Sequence, residues 1–242
     1  MSRRTFAGFS RRVVKAAGEN WDDVKSFNSA LRRLEKRRAT KVKKEGPLAE
    51  SKIAWKIAVL QQALLYRIIE LGGGCATMWN MGNVLCSVLA ARALLETIAL
   101  TADFEAKLQK HYKANDFEAL DNLVTSLTFA TRDPDALSET PELAAKNVLT
   151  YIDRLSAKFP LLRKHYDNLS EWCHPNSYGH FFTFGSLDTD TGTVSFSKRK
   201  LHTKGMLDHI LAVYLMIGLI VDLMNRLDIL IQDIAKAHFA AS

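Results

Sequence analysis

The chain has 242 residues, of which 48% are hydrophobic and 24% charged; this is the profile of an ordinary globular protein and excludes a disordered or fibrous one. Its length allows a sizeable core, as one large domain or as a domain with an extension. The net charge of +7 is unevenly placed: residues 1–44 hold fourteen Lys and Arg against four Asp and Glu, a balance of +10, so the remaining 198 residues carry −3.

The N-terminal stretch lacks the apolar core of a secretory signal. Residues 21–44, "WDDVKSFNSALRRLEKRRATKVKK", repeat Val24, Phe27, Leu31 and Leu34 at three- and four-residue steps, which predicts a helix with one narrow apolar stripe and an otherwise basic surface. "EGPLAE" at 45–50 breaks that pattern, and Pro47 suits the first turn of a new helix. Residues 1–46 are therefore expected as a basic helical arm, and 47–242 as a helical bundle domain. A long helix from Leu48 is expected to stop at the glycine run 72–74. Further helices are expected at about 78–113, at 116–131 with Asp116 as cap, at 141–158, at 160–174 and at 203–238. Residues 132–141 read as loop. Between the last two helices, "HFFTFGSLDTDTGTVSFSK" (180–198) alternates around a "DTDTG" turn and predicts a β-hairpin. The fold class is all-α: a multi-helix bundle with a small inserted β-hairpin and a basic N-terminal helical arm. The longest apolar run, Ile210 to Val221, is twelve residues between charges, short of the roughly 20 that span a bilayer, so no transmembrane segment is expected. Three irregularly spaced cysteines (Cys75, Cys86, Cys173) form neither a disulfide framework nor a C-x-x-C pair, in keeping with a reducing cytoplasm.

Chemistry concentrates in "YDNLSEWCHPNSYGH", Tyr166 to His180. On a helical projection Leu162, Tyr166, Leu169 and Cys173 fall within about 60° of arc and form the buried face. Arg163, Ser170 and His174 align on a neighbouring stripe within about 40°, at the margin of the core where clefts form. Ser170 and His174 are one turn apart, but no G-x-S-x-G elbow or oxyanion donor accompanies them, which argues against a serine hydrolase. His174 precedes Pro175 and suits a helix C-terminus, and Asn176 and Ser177 suit a turn. In "LAARALLETIAL" (89–100), Arg92 and Glu96 sit one turn apart inside an apolar face. Buried charges need partners; Tyr66, Arg67 and Glu70, or Ser170 and His174, are the candidates. A structural ion-pair network and a functional polar cluster both stay open. No H-E-x-x-H, paired-histidine or P-loop pattern occurs, so no metal and no cofactor are expected.

The basic segment offers Arg32, Arg33, Lys36, Arg37, Arg38, Lys41, Lys43 and Lys44 to nucleic-acid phosphates. A membrane surface fits less well, because the apolar stripe ends before the densest charge. A solvated helix packed along the body is the plain alternative.

"ARALLE" on one helix and "YDNLSEWCHPN" on a later one resemble a group of bacterial helical proteins that share an arginine-plus-glutamate helix and a Tyr-x-x-Leu-Ser-x-x-x-His motif. Their fold looks like the HEPN class (higher eukaryotes and prokaryotes nucleotide-binding), many of whose members are metal-independent RNases of toxin or defence systems. The resemblance spans about residues 50–240. It implies His174 as acid/base, Arg92 as stabiliser of phosphorane charge, and Ser170 and Glu96 as the residues orienting them. The HEPN pattern of arginine and histidine on one helix, separated by four to six residues, is absent. Arg163 and His174 share a face but lie about 16 Å apart along the axis, so Arg92 would have to supply the cation from another helix.

Two functions follow as expectations. One is a nucleic-acid-associated protein, with an RNase centre at Arg92, Glu96, Ser170 and His174. The other is a non-enzymatic interaction protein, whose basic arm binds nucleic acid or a partner and whose polar cluster is structural. A homo-oligomer is compatible with both.

Overall fold

The computed structural model describes residues 8–197 and 204–241. In chain order the elements are α1 (Arg11–Ala16), α2 (Trp21–Glu35), α3 (Pro47–Glu50), α4 (Lys52–Asn80), α5 (Val84–Lys113), α6 (Phe117–Thr128), α7 (Pro134–Glu139), a 3-10 turn (Pro141–Leu143), α8 (Val148–Ser156), α9 (Leu161–Cys173), a π-type turn (Ser177–Phe181), α10 (Phe182–Phe184), β1 (Gly185–Asp188), β2 (Thr193–Phe196) and α11 (Lys204–Ala241). It is an all-α bundle with one small antiparallel hairpin, in the register Gly185↔Phe196 to Asp188↔Thr193. Asp188 closes the hairpin turn by accepting from the backbone N–H of Asp190 (2.9 Å) and Thr191 (3.2 Å).

α4 and α5 form a helical hairpin, and α11 packs against both. Trp79, Phe104 and Tyr214 are among the wholly buried side chains of this core. α2 lies on α4 and α11, while α8 and α9 lie on α5. Of the segment 1–46, Phe9, Val13, Val14, Val24, Leu31 and Leu34 enter the same core cluster as the bundle helices.

The glycine run does not end a helix: α4 continues through residues 72–74 to Asn80. The run serves close approach instead. A Cβ on Gly72 would lie 2.8 Å from Leu31 Cδ2, and the Tyr214 hydroxyl donates to the Gly72 carbonyl. A bare backbone lets α2 and α11 press onto α4 at one level. α5 consequently begins at Val84, capped by the Asn83 side chain on the Cys86 N–H (3.2 Å).

The basic helix expected over 21–44 stops at Glu35. Beyond it, α4 side chains take over the backbone hydrogen bonding. Gln62 Oε1 accepts from the Ala39 N–H (2.9 Å), the Tyr66 hydroxyl donates to the Ala39 carbonyl (3.2 Å), and Trp55 Nε1 donates to the Val42 carbonyl (3.4 Å). The chain from Lys36 to Gly46 thus runs as a strap along α4 rather than as helix. Residues 132–141, expected as loop, hold α7, which Asp133 caps and Pro134 opens.

α5 and the 205–237 stretch of α11 are long and apolar enough to cross a membrane by length and composition, their most apolar 18-residue windows having mean hydropathies of 1.7 and 1.9. In each, 56% of the apolar window is buried against neighbouring helices, so bundle packing by itself accounts for the composition.

Candidate functional site

Arg92 and Glu96 project from α5 toward α9, and their partner there is Tyr166. The Arg92 Nε lies 3.2 Å from Glu96 Oε1, and Arg92 Nη2 donates to the Tyr166 hydroxyl at 3.4 Å. That hydroxyl in turn donates to Glu96 Oε1 at 3.0 Å. The guanidinium carbon sits 5.6 Å from the Tyr166 ring centroid, within cation–π range. The three groups close a triangle of contacts, in which the buried Arg92 Nε makes the ion pair but no hydrogen bond. The charged pair is three-quarters buried, with side-chain exposures of 26% and 25%. Burial opposes the Arg92 charge, yet the Tyr166 hydroxyl and then the Glu96 carboxylate outweigh it and hold the guanidinium above its ordinary value.

None of the expected second-helix partners joins this group. Arg67 Nε donates to Thr97 Oγ1 (3.1 Å), Glu70 pairs with Arg38 (3.1 Å), and Tyr66 serves the strap. Tyr166 is 2% exposed, and its place on the apolar face of α9 hid the polar tip that makes it a partner. A tyrosine among leucines on a buried face is the available signal, because its hydroxyl requires a hydrogen bond.

The other expected site residues separate. Ser170 Oγ is buried at the same margin and has no hydrogen-bond partner. His174 is the C-cap of α9: its backbone N–H bonds to the Ser170 carbonyl at 3.1 Å, and its ring is exposed. No hydrogen bond or ion pair ties the His174 ring to Arg92, Glu96 or Ser170. What holds His174 is the following turn. Its carbonyl accepts from the Asn176 N–H (2.8 Å), and a Cβ on Gly179 would lie 1.8 Å from that same oxygen, so the turn closes only over glycine. Asn176 is a turn residue in detail: Oδ1 accepts from the Gly179 N–H (3.0 Å) and Nδ2 donates to Glu171 Oε2 (2.8 Å). Cys173 lies near the Arg92 group, but burial raises its thiol above the ordinary value more than the guanidinium lowers it. That leaves it without the thiolate character of a nucleophile. Arg163 bonds Asp153 and Asp167 at the surface and takes no part.

The eight basic residues also divide. Arg37 donates to Asn225 Oδ1 (2.7 Å) and pairs with Asp228 (2.6 Å), which also accepts from Gln61 (2.6 Å). Arg38 pairs with Glu35 (3.0 Å) and Glu70 (3.1 Å) and lies 5.0 Å over the Tyr66 ring. These two arginines pin the strap to α4 and α11. Arg32, Arg33, Lys36 and Lys41 are exposed and carry no ion pair. Lys43 is exposed beside Glu45 (3.0 Å), and Lys44 lies 6.0 Å over Trp55.

Among known proteins, no family model, no curated protein and no solved structure matches the chain.

Proposed function

We propose that this protein is nucleic-acid-associated and non-catalytic: its strap and the end of α2 grip a phosphate backbone, and its α5–α9 polar triangle is structural. The supporting observation is the split among the basic residues. Arg37 and Arg38 are consumed in anchoring the strap, while Arg32 and Arg33 at the end of α2 and Lys36 and Lys41 on the strap are exposed and carry no ion pair. Cations on a pinned segment lose little further freedom when they meet phosphate, whereas cations on a loose tail lose more. The reading includes a reducing, cytoplasmic setting, in keeping with three free cysteines of which Cys86 is exposed.

Fluorescence anisotropy with a labelled 20-nucleotide RNA and with a duplex of the same length tests it. Affinity should fall as salt rises, with a log–log slope of about −0.7 to −0.9 per phosphate neutralised. Charge reversal of Arg32, Arg33, Lys36 and Lys41 together should flatten that slope by about three to four units. Binding that does not respond to salt, or to those four changes, sinks the proposal.

An RNase of HEPN type, with a toxin or defence role, keeps one supporting observation: the buried Ser170 Oγ, one turn along α9 from Tyr166, has no hydrogen-bond partner. Its cation, however, is committed to Glu96 and Tyr166. A cleavage assay decides between the two: RNA hydrolysis abolished by His174→Ala and by Arg92→Lys would replace the non-catalytic reading.

A further inference from the structure

β2 presents an unpaired sheet edge. The Ser197 N–H donates to the Phe184 carbonyl at 2.9 Å, and the register sets Gly185 opposite Phe196, Ser186 opposite Ser195, Leu187 opposite Val194 and Asp188 opposite Thr193. Bonded and non-bonded pairs alternate along an antiparallel ladder. Counted from the bonded Phe184–Ser197 pair, Ser186–Ser195 and Asp188–Thr193 carry the bonds inside the hairpin. The N–H and C=O groups of Val194 and Phe196 therefore point outward from β2, and those of Gly185 and Leu187 outward from β1. The β1 edge lies against the π-type turn, since a Cβ on Gly185 would come within 3.0 Å of the Phe181 carbonyl. β2 is exposed over all four residues, and among the described residues no hydrogen bond reaches its outer edge.

The same alternation sorts the side chains. Leu187, Val194 and Phe196 stand on one face of the hairpin, and Ser186, Asp188, Thr193 and Ser195 on the other. All three apolar side chains are exposed, Phe196 at 72%. An edge strand of a monomer is ordinarily shielded by lysine, proline, a bulge or a covering element. Thr193–Phe196 holds no charge and no proline, and its register holds no bulge. Two strands by themselves are marginal in water, and further strands sharing an apolar face are what stabilise them.

We propose that β2 is a homodimer interface: it pairs antiparallel with β2 of a second copy about a two-fold axis through Ser195, giving a four-stranded sheet. The strand itself selects this occupant and this register. Val194 and Phe196 flank Ser195 symmetrically, so the two-fold sets Val194 of each copy opposite Phe196 of the other. Both are outward-facing residues, and the two pairs exchange four main-chain hydrogen bonds. Opposed residues share a face, so Leu187, Val194 and Phe196 of both copies join into one apolar surface. An axis between two residues would instead set the apolar face of one copy beside the polar face of the other. An axis through Val194 would bring Gly192, a turn residue at φ 65°, opposite Phe196 and lose two of the bonds. Charge agrees with this choice: β2 is uncharged, and antiparallel pairing sends the acidic tips, Asp188 and Asp190, to opposite ends of the sheet. Strands of four residues bury less than the roughly 1,000 Å² of a stable interface, so the dimer is weak, with a Kd of about 10 µM or above. It is independent of the cationic strap.

Sedimentation equilibrium of the full-length protein from about 5 to about 500 µM tests the assignment. The average mass should climb from that of one chain toward that of two. Val194→Pro removes an outward N–H and spares every bond inside the hairpin, and Phe196→Lys puts a charge on the edge. Each should weaken dimerisation by about ten-fold or more and leave the circular dichroism and the unfolding midpoint unchanged. Oxidative cross-linking reads the register. In a Cys86→Ser background, which removes the exposed native thiol, Ser195→Cys sets two thiols opposite each other at a non-bonded pair. Their Cα atoms then lie about 4.5 Å apart, within reach of a disulfide. Thr193→Cys leaves its two thiols about 13 Å apart along the strands and should cross-link at least about ten-fold more slowly. A monomer mass up to about 500 µM, a dimer indifferent to both edge variants, or equal cross-linking at 193 and 195 would overturn the proposal. So would slow hydrogen exchange of the Val194 and Phe196 amides at about 5 µM, which would show that the same chain covers the edge.

Discussion

His165 and Tyr166 are neighbours on α9 that serve two different polar groups. Tyr166 turns to α5 and completes a triangle of contacts with Arg92 and Glu96. His165 turns to α11 and pairs with His209 beside an open cleft. In the first group an ion pair and a bridging hydroxyl hold two helices together, whereas in the second two imidazoles meet ring to ring beside a cleft. The crowding of reactive residue types in a sequence therefore matters less than whether their valences are spent within the fold. By that measure the Arg92–Glu96 pair keeps one donor unspent, the buried Arg92 Nε, while both ring nitrogens of His209 are engaged.

The sharpest way to break this contrast is to strand a charge in the closed group. Glu96→Ala leaves the Arg92 guanidinium three-quarters buried without a counter-charge, beside Tyr166 and Cys173, and should cost ~2–3 kcal/mol in urea unfolding. Tyr166→Phe keeps the ring and removes the hydroxyl that bridges cation and anion; a loss of ~1 kcal/mol is expected by the same measurement. The histidine pair should instead show itself through pH. Both imidazoles are held below the ordinary 6.5 by burial, so below that value the unfolded chain takes up protons first. Their contribution is complete above about pH 6.5 and is lost as pH falls toward their folded values. His209→Asn should flatten this acid limb of the stability profile, and an unchanged limb would mean the pair does not titrate as described. The smallest effect has the opposite sign. Ser170→Ala removes a buried oxygen without a partner and should be neutral or stabilising by ~0.5 kcal/mol. A marked loss would show that Ser170 has a partner in solution and would strengthen the RNase alternative.

Much of the fold was legible because its signals are local. Asp116 caps α6 on the Ala119 N–H at 2.9 Å, as its place before an apolar run suggests. "DTDTG" between alternating residues specifies the hairpin, and Val24, Leu31 and Leu34 at helical spacing are all fully buried. The helical projection also put Arg92 and Glu96 inside an apolar face, in need of partners on another helix, without choosing between α4 and α9. What escaped depends on contacts distant in the chain. Gly72 reads as a helix stop until Leu31 and Tyr214 arrive from other elements. The strap's departure from helix is decided by Gln62 and Tyr66 on α4 and not by its own lysines. His165 and His209 are 44 residues apart, and no spacing rule links them. Tyr166 was placed on the right face but its polar end was overlooked, since apolar patterning scores the ring and ignores the hydroxyl.

The glycine run at 72–74 should tolerate substitution unevenly. Gly72 is fixed by the methyl group of Leu31 at 2.8 Å, whereas a Cβ on Gly74 meets nothing within 4 Å. An alanine at 74 gains about 1 kcal/mol of helix propensity at no steric cost, while an alanine at 72 requires the Leu31 side chain to shift. Position 74 therefore has room for a better helix former, and position 72 has it only as far as the Leu31 methyl groups give way. One tripeptide therefore contains both a sterically open position and a sterically closed one.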